Sequence, residues 1–172
     1  HLEQAGKVRH FGVSNQNPMM MELLKTAVQQ PLKVNQLQLS AAFTPSFEAG
    51  FHVNMEGPKA AVRDGSVFEY CRLTDTVIQA WSVLQHGYFK GNFVGKEEFA
   101  ALNHVLNDLA KKYQVTPTAI ALAWVLRYPG KMQAVIGTTK PQHVLEAGKA
   151  AEVTLTRKEW YQIYLAAGND LP

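Results

Sequence analysis

Short runs of β-branched and aromatic residues alternate with helix-forming runs along this chain, and that alternation limits the folds open to it. Residues 8–14 (VRHFGVS), 34–40 (VNQLQLS), 77–82 (VIQAWS) and 133–136 (QAVI) read as strands, because strands favour Val, Ile and aromatics and alternate faces with a period of two. Helical stretches lie between them. Asn17 before Pro18 is an N-cap followed by a first-turn proline, and it starts a helix through MMMELLKTAV. Residues 67–73 form a second helix, residues 96–112 a third, and Thr116-Pro117 opens a fourth that runs to Arg127. Gly137-Thr138-Thr139-Lys140-Pro141 opens a short fifth helix, and residues 154–156 lead into a last amphipathic one over 158–167. Strand followed by helix, four times over, predicts a parallel sheet with helical crossovers.

The strand faces separate two kinds of parallel fold. Phe11 and Val13 share one face of the first strand, with His10, Gly12 and Ser14 on the other. In the same way Leu37 and Leu39 oppose Gln36 and Gln38, while Ile78 and Ala80 oppose Gln79 and Trp81. A doubly wound sheet carries helices on both faces, so its strands are almost continuously apolar. One apolar and one polar face suit a barrel, whose inner face meets other strands and whose mouth meets ligand. Buried glutamines need partners. These three bond either to one another and to water inside the barrel, or to a polar ligand at the strands' C-terminal ends. Residues 43–66 and 85–95 lack periodicity, as functional loops do. Phe43, Phe47, Phe51, Phe89 and Phe93 in and around them either line an apolar pocket or pack the loops down.

Composition narrows the function classes. Seventeen Lys and Arg against fourteen Asp and Glu leave a charge of +3, without a run of five like charges, so nothing points to nucleic acid. The most apolar stretch, residues 119–126, is far shorter than the roughly 20 residues of a membrane span, and no basic-then-apolar leader opens the chain. A single cysteine, Cys71, rules out an internal disulfide and sits in a predicted helix among apolar residues. A soluble cytoplasmic protein is the expectation. The six histidines show no metal-ligand spacing, no Gly-x-Gly-x-x-Gly marks a doubly wound dinucleotide fold, and Ser14 and Ser82 lack the setting of a nucleophile. The first residue is His1 and residues 1–5 read as the tail of a helix, so a cut through a longer chain is expected.

Gly6-Lys7-Val8-Arg9-His10-Phe11-Gly12-Val13-Ser14-Asn15 closely resembles the GKVRxxGVSN segment of the aldo-keto reductases, which is their fifth barrel strand and the loop after it. Val34-Asn35-Gln36 resembles the sixth strand and Ala80-Trp81-Ser82-Val83-Leu84 the seventh. Ala123-Trp124-Val125-Leu126 matches the helix before the eighth strand, and Val135-Ile136-Gly137-Thr138-Thr139 the eighth itself. One such block is a weak signal; four in order at family spacing are specific. The resemblance implies an α/β fold, the C-terminal half (last four β/α units) of a (β/α)8 TIM barrel, with residues 1–172 forming its cofactor-binding side and the N-terminal half absent. It also implies an NADP(H)-dependent oxidoreductase that reduces aldehydes or ketones to alcohols by hydride transfer. Its partners would be a small carbonyl substrate and the missing N-terminal half of the barrel, with no nucleic acid and no membrane. A non-catalytic, nucleotide-binding regulatory module of the same build is the alternative.

Carried over residue by residue, Ser14, Asn15 and Gln36 would hydrogen-bond the nicotinamide carboxamide, which needs both donors and acceptors. Trp81, where the family often has Tyr, would stack on the nicotinamide ring. Ser82 and Leu84 would line the pyrophosphate path, although Gln85-His86 follow where relatives are richer in Gly and Ser. Gly137, Thr138, Thr139, Lys140 and His143 resemble the segment that holds the adenosine 2′-phosphate at a helix N-terminus. His143 stands where many relatives have Arg. Glu146 matches the acidic residue that contacts the adenine amino group, and the Asn that usually follows is Ala147. Without the resemblance, Thr139 and Lys140 are a solvated helix start and Trp81 a core aromatic. The family's catalytic Tyr, Lys, Asp and His come from the first half of the barrel, so this chain is assigned no catalytic residue and is expected to be inactive alone.

Overall fold

Four strands, β1 (Phe11–Ser14), β2 (Leu32–Gln38), β3 (Val77–Trp81) and β4 (Met132–Ala134), pair in parallel in chain order to make one sheet. The structure is a computed structural model that describes residues 1–45, 67–87 and 90–170. Its α-helices are α1 (Pro18–Lys25), α2 (Val67–Leu73), α3 (Ala100–Tyr113), α4 (Pro117–Leu126), α5 (Pro141–Gly148) and α6 (Arg157–Ala166). Strands that neighbour in space as they do in sequence leave no point at which strand order reverses, and a doubly wound sheet requires one. The sheet is that of a half-barrel.

One face of the sheet builds the core. Leu37 and Leu39 after and within β2, and Ile78 and Ala80 of β3, are buried against Leu106 of α3, Ile120 and Trp124 of α4 and Ile163 of α6. α4 is apolar on every side and is buried from Ala119 to Val125. Trp124 and Trp160 stack with ring centroids 4.8 Å apart, and each indole N–H donates to the other's backbone carbonyl at 3.0 Å. A buried indole needs such a partner, and the pair fastens α6 across α4. Cys71 is fully buried in α2, where burial pushes its thiol pKa up, so it is a packing residue as expected.

Helix ends follow local chemistry. Asn17 caps α1 by accepting from the Met20 amide at 2.9 Å, and Thr116 caps α4 from the Ala119 amide. α6 begins with a capping box, Thr156 and Glu159 bonding reciprocally. Residues 1–7 carry the bonds of a helix C-terminus: Gly6 N–H donates to Glu3 O, Lys7 N–H to Leu2 O, and Gly6 has φ +67°. This agrees with the reading of residues 1–5 as a helix tail.

Several boundaries differ from expectation. β1 is Phe11–Ser14 instead of 8–14, since the helix-end turn runs through residue 7 and the register shifts between Phe11 and Gly12. β2 is Leu32–Gln38 instead of 34–40, because Ser40 turns back to form an antiparallel bridge with Phe43. β3 ends at Trp81 because Ser82 takes a left-handed conformation at φ 52°. β4 is Met132–Ala134 instead of 133–136; the Val135 amide still reaches Ala80 O at 2.8 Å, but Val135 and Ile136 are exposed. α1 stops at Lys25, and the helix expected over 96–112 opens as a 3-10 turn, Glu97–Phe99. Of the loop expected at 43–66, residues 46–66 lie outside the described residues, as do Phe47, Phe51 and Phe89. Phe93 is fully buried and packs edge-on against Phe99 at 6.2 Å, so it holds its loop down.

Candidate functional site

The second face of the sheet is polar. Ser14, Gln36, Gln79 and Gln133 occupy one row of the sheet, in register across all four strands. Gln36 Nε2 donates to Gln79 Oε1 at 3.4 Å and Gln79 Nε2 to Gln133 Oε1 at 3.0 Å, while Ser14 Oγ donates to Gln36 O at 3.2 Å. Gln36 and Gln79 thus bond to one another along this row. Gln38 lies two residues further along β2, in register with Trp81; its Nε2 is buried and has no partner among the described residues.

Where β1 ends, the chain turns. Asn15 adopts the left-handed conformation at φ 54°, which asparagine tolerates better than most residues. Its amide donates to Gln36 O at 2.9 Å, and its side-chain oxygen accepts from Trp81 Nε1 at 3.4 Å. Ser14, Asn15, Gln36 and Trp81 therefore meet at the strand tips. Within this network the bonds leave Asn15 Nδ2 as a donor and Gln36 Oε1 as an acceptor, the complement of a primary amide.

A cleft of about 510 Å3 opens beyond the C-terminal ends of β3 and β4. Trp81, Ser82, Leu84 and Gln85 form one side, Gly137, Thr138, His143 and Glu146 the other, with Thr118 and Leu122 of α4 at its base. Thr138 Oγ1 lies 3.4 Å from His143 Nδ1 and accepts from the Lys140 amide at 3.2 Å. Glu146 accepts from Gln142 at 3.1 Å. Thr139 and Lys140 are exposed beside the cleft and do not line it, and Ser14, Asn15 and Gln36 adjoin it only through Trp81.

Three positioning residues escaped the sequence reading. Asn35 is fully buried on the helix side of β2; its Nδ2 donates to Gln16 O at 2.8 Å and its Oδ1 accepts from the Gln16 amide at 3.4 Å. It pins the loop that carries Asn15. Asn103 of α3 accepts from the Gly95 amide at 2.8 Å and donates to Phe93 O, Lys96 O and Phe99 O at 2.9, 3.0 and 3.1 Å, which fixes the loop after the cleft. A polar residue at an apolar position of a helix was the available signal for Asn103. Gly12 is the third. A Cβ there would lie 2.7 Å from Val34 Cβ and 2.8 Å from Val34 O, so only glycine lets β1 approach β2 this closely.

A parallel sheet in chain order, with a polar row at its strand tips and a cleft past their C-terminal ends, is half of a (β/α)8 barrel with its ligand end built. The sequence profile of the aldo/keto reductase family matches residues 1–166, and the chain belongs to that family. It is similar to 6-dehydroglucose reductase of Agrobacterium fabrum, 33% identical over 172 residues, which are 99% of this chain and 50% of that protein. Oxidoreductase YdhF of Escherichia coli is 31% identical over 100% of this chain and 52% of its own length. Among solved structures, the aldo-keto reductase Tm1743 with the inhibitor epalrestat aligns at a TM-score of 0.68 and 21% identity, over 96% of this chain and 51% of that one. Aldose reductase of Giardia lamblia aligns at 0.67 and 18%, over 95% and 46%. The chain spans about half the length of the curated relatives it matches.

Proposed function

We propose that this chain is the cofactor-binding half of an NADP(H)-dependent reductase that converts aldehydes or ketones to alcohols. The observation that carries this reading is the continuity of the site: the Trp81–Asn15 bond joins an amide-complementary strand-tip pair to the cleft ending at the N-terminus of α5. The groups available fit a dinucleotide. Asn15 Nδ2 and Gln36 Oε1 would orient a carboxamide, and Trp81 would cover one face of its ring. Ser82 and Leu84 would flank the pyrophosphate. Gly137, Thr138, Thr139, Lys140 and His143 would hold a phosphate at a helix start, where free amides and the helix dipole favour anions; Glu146 would meet the adenine. Bound NADPH would supply hydride to a carbonyl carbon. The buried, unpartnered Gln85 Oε1 in the cleft wall is a further polar group awaiting a donor.

The general acid and its helpers would come from the preceding half of the barrel, which we infer lies N-terminal to His1. Apolar side chains stand exposed on the elements next in sequence to both edge strands: Met19 and Leu23 on α1, which follows β1, and Val135, Ile136, Val144 and Leu145 from β4 to α5. An exposed edge flanked by apolar groups demands cover. Among the described residues no helix is long and apolar enough to cross a membrane.

The second reading is a module of the same build that holds the nucleotide without turnover. The described tyrosines, Tyr70, Tyr113, Tyr128, Tyr161 and Tyr164, lie outside the cleft lining, which fits both readings, so turnover decides between them. The experiment titrates the full-length protein with NADPH by nucleotide fluorescence, then follows NADPH consumption with a panel of carbonyls that includes 6-dehydroglucose. Saturable binding with steady turnover supports the reductase; binding without turnover on any carbonyl supports the module; absence of binding overturns both. An intact mass of 19.1 kDa for the native protein would overturn the missing half.

A further inference from the structure

A second pocket, of about 310 Å3, lies at the other end of the sheet from the cleft, between α2, the residues after α4 and the start of α6. Arg127 and Tyr128 precede β4, so this pocket sits toward the N-terminal ends of the strands. Three guanidiniums, Arg72, Arg127 and Arg157, face a single carboxylate, Glu69, around it. Among the described residues no ion pair ties any of these arginines to an acid. Arg127 is held by its Nε donating to Leu155 O at 3.0 Å, which leaves the terminal nitrogens of its fork for another acceptor. Arg157 lies over the ring of Tyr161 at 5.7 Å. One oxygen of Glu69, Oε2, is buried with no hydrogen-bond partner among the described residues. Tyr128, Trp160 and Tyr161 add aromatic rings to its lining. Burial foremost, and then the Glu69 carboxylate, push the Tyr128 hydroxyl pKa up to about 12, so that it stays neutral.

These features together specify a ligand. Arginine forks match the plane of a carboxylate and stack on rings, and three of them against one acid leave a positive surplus. Aromatic walls select a flat body, and the volume admits about one ring with substituents. Glu69 stands one turn before Arg72 on α2, and a buried carboxylate oxygen left unpaired is costly, so a ligand that offers it a hydrogen-bond donor is favoured. We propose that this pocket binds a small planar carboxylate that also bears a hydrogen-bond donor. The inference is independent of the cofactor cleft and of the reductase reading.

The probe is 4-hydroxybenzoate, titrated calorimetrically into the full-length protein in low-chloride buffer. The expected result is saturable binding at sub-millimolar concentration, with benzoate weaker by about fivefold and neutral 4-hydroxybenzyl alcohol weaker by about a hundredfold. Arg127→Ala and Arg157→Ala should each weaken binding about tenfold, with thermal midpoints unchanged to show that the fold survives. Glu69→Ala should erase the advantage of 4-hydroxybenzoate over benzoate, and Lys111→Ala, exposed on α3 and outside the pocket lining, should leave probe binding unchanged. Absence of heat at millimolar probe overturns the proposal, as does equal binding of the neutral alcohol, indifference to both arginine variants, or loss of binding in Lys111→Ala.

Discussion

The indole N–H of Trp81 donates to the Asn15 side-chain oxygen across 3.4 Å, so the tip of β3 is tied to the residue that follows β1, two strands away. The bond does two things for the proposed site. It fixes the plane of the indole, and it commits the Asn15 oxygen, turning the Asn15 Nδ2 donor outward. Trp81→Phe keeps a ring for stacking but removes the tie. NADPH affinity should fall about threefold to tenfold in Trp81→Phe and further, about a hundredfold, in Trp81→Ala. Fluorescence titration reads both. Equal affinities for the two variants would mean that the ring itself contributes nothing.

Asn35 acts one layer behind. Its amide pairs with both the N–H and the C=O of Gln16 in the way a neighbouring strand would, at 3.4 and 2.8 Å, inside a fully buried position. Asn35→Ala would orphan both backbone groups and should destabilise the protein by about 2 kcal/mol. A shift of the urea midpoint measures that cost. Faster amide exchange at Gln16 would show that the loop carrying Asn15 is what loosened.

Glu159 makes stability depend on pH. Burial pushes its carboxyl up, but hydrogen bonds from Lys112, from the hydroxyl and backbone of Thr156 and from Tyr113 outweigh that and hold the pKa down to about 2, against 4.5 for an ordinary glutamate. The folded state therefore favours the ionised form. Its contribution is fully present above pH 4.5, declines as the pH falls toward 2, and is gone below. Glu159→Gln should cost about 2 kcal/mol at pH 7, a value trimmed because Lys112 is largely in solvent. Urea unfolding of the two proteins from pH 7 to pH 2 should show that gap closing. A constant gap would place the loss in packing instead.

Much of this was written in local sequence. The caps at Asn17 and Thr116, the parallel order of strands and the polar face carrying Gln36 and Gln79 follow from short-range chemistry, and each appears in the structure. What stayed hidden depends on contacts between distant segments. Nothing near Gln133 announces that it completes a row with Gln79, because register is set across strands. Asn35 alternates onto the helix side, where an apolar residue is the default, and its partner Gln16 becomes visible only once the β1–α1 loop folds over it. β4 stops short of Val135 and Ile136 although both favour strands, because propensity marks the residue type and pairing decides the ladder. The capping box at Thr156 and Glu159 is different in kind: the Thr-x-x-Glu spacing carries that signal, and the structure adds only that Glu159 also reaches Lys112 and Tyr113.

His143 provides the sharpest test of cofactor choice. It lines the cleft one turn into α5, with Nδ1 3.4 Å from the Thr138 hydroxyl, and Lys140 stands exposed just outside. A phosphate resting on the start of α5 would meet one imidazole, one hydroxyl and one ammonium. A guanidinium at 143 would offer a fork of donors matched to phosphate oxygens and a permanent charge, neither of which imidazole supplies. NADPH carries the extra 2′-phosphate and NADH does not, so only the former should respond. His143→Arg should raise the ratio of NADPH to NADH affinity about tenfold, with NADH itself changed by less than about twofold. Parallel fluorescence titrations measure the ratio. If both nucleotides tighten together, residue 143 is acting on the pyrophosphate or on general charge, and the 2′-phosphate must be held elsewhere.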